Sequence, residues 1–139
     1  MINRRLRYIV RDQQPLSMQA TDTIQRACEA MRVRNVGSVL VLDERQRLLG
    51  IFTGRDAVKL LAKGKGGGMA LAEAMTPNPV VFTPEQQAID ALRAMSNGGF
   101  RHIPVVEKGR VLGIVSRADF KSEELDRLEE DESLAERIW

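Results

Sequence analysis

A chain of 139 residues with 43% hydrophobic residues, 29% charged residues and a net charge of +2 has room for one domain or two half-sized units, and its composition is globular. No apolar run approaches the ~20 residues of a membrane span, the basic start Met1-Ile2-Asn3-Arg4-Arg5-Leu6-Arg7 lacks the apolar core of a signal peptide, and a single cysteine excludes an internal disulfide. The small net charge and 4% aromatic content argue against nucleic acid, so a cytoplasmic protein with no membrane partner is expected.

Taken in chain order, Asp22 with Gln25 resembles a capping box, and Ile24, Ala27, Cys28 and Met31 come next at helical spacing. Asn35-Val36-Gly37 closes that helix. The β-branched run Val39-Leu40-Val41-Leu42, the turn Asp43 to Arg47 and Leu48 to Phe52 read as a hairpin. Thr53-Gly54-Arg55-Asp56 opens a helix whose apolar face is Ala57, Leu60 and Leu61, and Gly64-Lys65-Gly66-Gly67-Gly68 is a flexible linker. The plan then repeats. Pro79-Val80-Val81-Phe82 reads as a short strand, and Thr83-Pro84-Glu85-Gln86 as a helix start with proline at the first position. Ile89, Leu92 and Met95 face inward, and Asn97-Gly98-Gly99 ends the helix. Ile103 to Val106 and Val111 to Val115 form a second hairpin, and Ser116-Arg117-Ala118-Asp119 starts the last helix. Beyond it, Leu125, Leu128, Ala135 and Ile138 recur on one side of an amphipathic stretch. Residues 121–137 hold eight acids against three bases, and with Arg4, Arg5, Arg7 and Arg11 they read as solvated ends that touch each other.

The second half restates the first. Gly50-Ile51-Phe52-Thr53-Gly54-Arg55-Asp56 returns as Gly113-Ile114-Val115-Ser116-Arg117-Ala118-Asp119, 63 residues later (119 − 56). A period this long exceeds that of solenoid repeats and points to two copies of a small unit. A unit of roughly 60 residues is marginal alone, so the copies are expected to pack together, and pairing into a homodimer is expected. Each reads strand–helix–strand–strand–helix, a mixed α+β unit.

The recurring Thr/Ser-x-x-Asp invites two readings. A helix N-terminus offers unpaired N–H groups to phosphate, a hydroxyl donates to phosphate oxygens, and an ionised carboxylate accepts both hydroxyls of a ribose. The same spacing is also a capping box that needs no ligand, and spacing alone leaves both open. Cys28 and the methionines at 31, 75 and 95 read as core. No Walker loop, metal-ligand cluster or nucleophile–base pair is identifiable, so the chain is not read as an enzyme.

The two Gly-x-x-Thr/Ser-x-x-Asp strings, each placed after a hairpin, and Met75-Thr76-Pro77-Asn78-Pro79-Val80 resemble a tandem pair of CBS (cystathionine β-synthase) domains, a Bateman module, from about Arg11 to Leu125. The resemblance implies CBS repeats at residues 9–68 and 75–133 with pseudo-two-fold symmetry, and a C-terminal extension at 134–139. It implies clefts between the repeats that bind an adenosine-containing ligand: AMP, ADP, ATP or S-adenosylmethionine. By resemblance Asp119 and Asp56 hold ribose, Ser116 and Thr53 contact phosphate, and Arg101 with His102 neutralises it, Arg55 and Arg117 standing in the same strings. Repeat one has Gly37-Ser38 where repeat two has Arg101-His102, so the Asp119 site is expected to bind phosphate better. The purine would sit among Pro79, Val80 and Phe100, or among Leu16, Ser17 and Val36 in the other site. The implied function is a regulatory ligand sensor that signals to a partner protein, with no cofactor required; the alternative is a ligand-free dimerisation or scaffold module.

Overall fold

The computed structural model describes residues 4–138, with side chains described to residue 132. The elements are α1 (Leu6–Val10), β1 (Ser17–Met18), α2 (Ile24–Arg34), β2 (Ser38–Leu42), β3 (Leu48–Thr53), α3 (Gly54–Ala62), α4 (Leu71–Ala74), β4 (Thr76–Pro77), α5 (Ala88–Gly98), β5 (His102–Glu107), β6 (Arg110–Ser116), a 3₁₀ turn (Arg117–Asp119) and α6 (Ser122–Ile138). They form two compact units. The first is Gln14–Pro79 with the hairpin tip Lys108–Val111; the second is Val80–Glu107 and the chain from Leu112 on, together with the residues before Gln14.

The first unit carries a sheet in the order β1-β2-β3-β4, with β1 parallel to β2 and the other pairings antiparallel. Strand β2 is buried from Ser38 to Val41, as a β-branched run sandwiched on both faces should be. Helix α2 turns Ile24, Ala27 and Met31 onto Val39, Val41, Phe52 and Leu71. It ends at Asn35 in the left-handed conformation, whose N–H reaches back to Arg32 O. The second unit packs Ile89, Leu92 and Met95 of α5 onto Ile103, Val105 and Val115 of the β5–β6 ribbon. The ribbon turns on Lys108 and Gly109, both at positive φ (53° and 79°), the turn whose twist suits a two-residue hairpin.

Each unit takes its first short helix from outside its own linear repeat. In the second unit the N–H groups of Leu6 and Arg7 donate to Gln86 O and Pro84 O, each at 2.9 Å, while Ala88 N donates to Arg4 O at 2.6 Å. In the first unit Leu71 N donates to Asp22 O at 2.8 Å, Ala72 N to Ala20 O at 3.0 Å, and Ile24 N to Met69 O at 2.9 Å. Backbone carbonyls thus satisfy the orphan N–H groups of both helices in each pair. That reciprocity explains how helices of five and four residues persist. The recurring glycines make room for these segments. A Cβ on Gly50 would lie 2.6 Å from Met75 Sδ and 2.7 Å from Thr76 O; one on Gly113 would lie 2.6 Å from Gln13 Oε1 and 2.7 Å from Val10 Cβ.

Several local expectations are corrected. The cap of α2 is Thr23, whose Oγ1 accepts from Arg26 N at 3.2 Å, while Asp22 accepts from Gln19 N. Thr83–Gln86 is a turn held by Thr83 N donating to Gln86 Oε1, and α5 starts only at Ala88. In the stretch 79–82 only Phe82 bridges a strand, parallel to Val105, whereas Thr76–Pro77 pairs with β3. The glycine linker is laid down rather than free: Gln25 N donates to Gly67 O and Lys65 N to Leu60 O, each at 3.0 Å. On α3, Ala57 and Leu60 pack inward but Leu61 is 77% exposed. Helix α6 docks through Leu125 and Leu128; the expected contributions of Ala135 and Ile138 fall on side chains outside the described residues.

Candidate functional site

Each unit presents one corner where its second hairpin strand turns into a helical element. In the first unit, α3 starts at Thr53, which forms a closed capping box: Thr53 Oγ1 accepts from Asp56 N at 3.2 Å and Asp56 Oδ2 accepts from Thr53 N at 3.0 Å. The Thr53 hydroxyl proton stays available to a ligand oxygen, since this bond uses only its lone pair. In the second unit Ser116 N and Ser116 Oγ both donate to Asp119 Oδ2, at 2.7 and 3.3 Å. The Ser116 proton is therefore engaged and must turn away to reach a phosphate. The capping bonds that the two aspartates accept all fall on Oδ2, so neither cap consumes Oδ1 of Asp56 or Asp119. Each half-buried carboxylate thus keeps acceptor capacity for a sugar hydroxyl beyond its structural role.

The two corners lead into different elements. Thr53 opens a helix of nine residues, so the first turn carries the positive end of a dipole. Ser116 opens only a three-residue 3₁₀ turn, which stops at Phe120 in extended conformation, and α6 begins separately at Ser122. This corrects the expectation that Ser116–Asp119 starts the last helix, and it removes a dipole contribution there.

Charge runs the other way. Gly54 N donates to Gly37 O at 3.0 Å, and in the second unit the equivalent bond, also 3.0 Å, runs from Arg117 N to Arg101 O. Two glycines at one corner are replaced by two arginines at the other. Both guanidiniums belong to residues tied backbone to backbone beside Asp119, and guanidinium matches phosphate oxygens bidentately. Arg55 lies on the exposed side of α3. Among the described residues no cluster of three His, Cys, Asp or Glu is placed to hold a metal ion.

The remaining expected site residues fall at the first residues of strands or just before them. His102 is the half-buried first residue of β5. Its counterpart Ser38 is 6% exposed opposite Thr53, so it supports the corner from below. Val36 and Val80 are open, at 40% and 50% exposure, and Pro79 is half-buried. Phe100 is partly committed to the core, and its ring lies so close over Gly98 that a Cβ there would sit 2.1 Å from it. Ser17 is exposed on β1, and Leu16 packs against the first unit's core.

The CBS domain profile matches the chain twice, at residues 6–63 and 71–126. The chain belongs to the CBS domain family. A CBS domain-containing protein of Arabidopsis thaliana, CBSCBSPB1, is 34% identical over 116 residues, 82% of this chain and 21% of that protein, so the chain spans about a fifth of such plant relatives. A 17.7 kDa protein of Acidianus ambivalens is 37% identical over 105 residues, 75% of this chain and 63% of that one. Among solved structures, the CBS domain protein PAE2072 of Pyrobaculum aerophilum, complexed with AMP, superposes with a TM-score of 0.81 at 21% identity over 90% of this chain and 98% of that one. The CBS domain pair of protein MJ0100, complexed with methylthioadenosine and S-adenosylmethionine, superposes with a TM-score of 0.76 at 25% identity over 94% of this chain and 99% of that one. The mixed α+β CBS repeats and the C-terminal helix α6 expected from the sequence are what the structure holds.

Sequence reasoning missed two residues at the second corner. Arg4 Nη2 donates to Asp119 O at 2.8 Å, and Gln13 Oε1 accepts from Ile114 N at 2.9 Å. Their partners lie 115 and 101 residues away, a separation no local spacing signals.

Proposed function

We propose that this CBS pair is a regulatory module that binds an adenosine-containing ligand and passes the signal to a partner protein. The observation that carries the reading is the Arg101–Arg117 corner beside Asp119, where the other unit has Gly37 and Gly54. Asp119 Oδ1 accepts from ribose hydroxyls, the two guanidiniums neutralise a phosphate, and Val80 with Phe100 flanks the base. At the first corner, Asp56 and Thr53 make the same contacts without those two cations, and the α3 N-terminus supplies positive potential instead. That corner therefore suits a ligand of low charge and the second suits a nucleotide. The likeness to the MJ0100 pair, with its methylthioadenosine and S-adenosylmethionine, supports an adenosine ligand. No covalent chemistry is asked of any residue. Signalling is a population shift whose size is the ligand's differential affinity for two states. Val58 and Leu61, 67% and 77% exposed and three apart on α3, give the module an apolar face for a second copy, which sedimentation equilibrium tests.

Calorimetric titration with AMP and with S-adenosylmethionine tests the site. Arg101→Ala and Arg117→Ala each weaken AMP about ten-fold or more, the loss of a charged hydrogen bond. They leave S-adenosylmethionine, which has no phosphate, within about two-fold of wild type. Equal weakening of both ligands contradicts the assignment. The competing reading, a ligand-free scaffold, is favoured by the capping bonds both aspartates already make. It predicts no heat with either ligand.

A further inference from the structure

The most buried ion pair among the described residues is not at a unit's surface rim but at a junction. Arg4 Nη2 lies 2.7 Å from Glu124 Oε1, with the Glu124 side chain 3% and the Arg4 side chain 19% exposed. The same guanidinium nitrogen donates to Asp119 O at 2.8 Å, and Arg4 Nε reaches Glu124 Oε2 at 3.4 Å. Glu124 Oε1 in turn accepts from Lys121 N at 2.8 Å, closing the first turn of α6. One planar cation therefore joins three pieces of backbone: the segment that feeds α1, the turn bearing Asp119, and the start of α6. All three lie within the second unit.

We propose that Arg4 couples the Asp119 turn to the docking of α6, making α6 the element that reports events at the turn. The geometry leaves little slack. Displacing Asp119 pulls its carbonyl from Arg4, and Arg4 cannot follow without leaving a nine-tenths-buried carboxylate unpaired, which is strongly unfavourable. Past Glu124, α6 is held by Leu125 and Leu128 on the core, by Arg93 to Asp131 at 3.0 Å, and by Ser96 Oγ to Glu132 Oε1 at 3.0 Å. The two polar ties are exposed and correspondingly weak, so the hold on the first turns of α6 is shared between the Arg4–Glu124 pair and the two leucines. A lysine at position 4 would not replace the arginine, since its ammonium sits one atom nearer the backbone than Nη2 and it has no counterpart of the Nε–H that reaches Glu124 Oε2.

The ligand arm of the test rests on the proposed adenosine reading; the first arm does not. Amide hydrogen exchange is followed on the full chain for wild type, Arg4→Lys and Arg4→Ala. Both variants should speed exchange across residues 122–132 and at 117–121 by about ten-fold or more, the loss of a charge-assisted bond, with residues 14–79 unchanged. Unchanged exchange in α6, or acceleration spread evenly over the unit, overturns the coupling; Arg4→Lys decides it if Arg4→Ala does not fold. With AMP added, exchange in 122–132 should change in wild type but not in Arg4→Lys, although a thermal shift shows AMP bound to both. The same change in both proteins overturns the proposal. If AMP binds neither protein, the assignment of AMP to the Asp119 corner fails, and the ligand-free comparison still decides the coupling.

Discussion

Gly113→Ala is a direct probe of how the leading segment of residues 4–13 packs within the second unit. The added methyl would sit 2.6 Å from Gln13 Oε1 and 2.7 Å from Val10 Cβ, closer than real Cβ contacts allow, and a tight 3.0 Å from Val10 Cγ1. Gln13 can swing aside, but that breaks its 2.9 Å bond from Ile114 N, worth roughly 0.5–1.5 kcal/mol. Val10 is 4% exposed and anchored in the core, so its clash must be relieved by moving α1, at the roughly 1–3 kcal/mol of overpacking. The sum is about 1.5–4.5 kcal/mol, a large fraction of the stability of an ordinary domain. Urea denaturation followed by far-ultraviolet circular dichroism reads the loss, and hydrogen exchange locates it in residues 4–13. Gly50→Ala is the matched control: its methyl meets the flexible Met75 thioether but also the rigid Thr76 carbonyl, so its effect should appear in residues 71–77 instead. A Gly113→Ala protein within about 0.5 kcal/mol of wild type, with 4–13 still protected, would refute the packing role assigned to both glycines.

Three further outcomes rest on the same geometry. Thr53→Ala removes a closed cap and should cost about 1 kcal/mol in urea melts, whereas Ser116→Ala, whose hydroxyl does not cap Asp119 N, should cost measurably less. The Glu85 carboxyl is held below its usual range by hydrogen bonds from Arg7 first and then Arg5. Its contribution is therefore present above the unfolded value of about 4.3 and is lost as pH falls through the lower folded value. Glu85→Gln should accordingly lower the melting temperature slightly at pH 7, less so in high salt, and the gap to wild type should close in acid. Burial pushes the Cys28 thiol up, so alkylation at about pH 7.5 should run slower than for a free thiol and recover in urea; equal rates would contradict that environment.

The parts legible in the sequence are those written in local periodicity. Val39 to Val41 and Ile103 to Val105 announce their strands as short continuous apolar runs buried on both faces, and Ile24-Ala27-Met31 and Ile89-Leu92-Met95 their helices because burial of one face leaves a spacing of three and four. Exchange of the leading segments was not legible, since it is carried by backbone bonds such as Leu6 N to Gln86 O that leave no side-chain pattern. Nor was the difference between the two Thr/Ser-x-x-Asp strings. Spacing is the same in both, but Ala57 continues a helix while Phe120, 8% exposed in extended backbone, turns into the core and ends the turn. At the candidate site, Arg101 stood out against Gly37 in the sequence. Its bonding to Arg117, and the reach of Arg4 to the same turn, needed the fold.

Thermal unfolding of the purified chain against AMP, ADP, ATP and S-adenosylmethionine, with guanosine counterparts as controls, tests the sensing function most directly. A ligand at about 100 times its dissociation constant stabilises by about 2.7 kcal/mol, a rise of several degrees. AMP, ADP or ATP should give that rise in wild type and none in Asp119→Ala, whose own melting point should drop only by the cost of a cap. No rise with any of the three nucleotides, or a nucleotide rise that Asp119→Ala retains in full, would contradict a nucleotide site at the Asp119 corner.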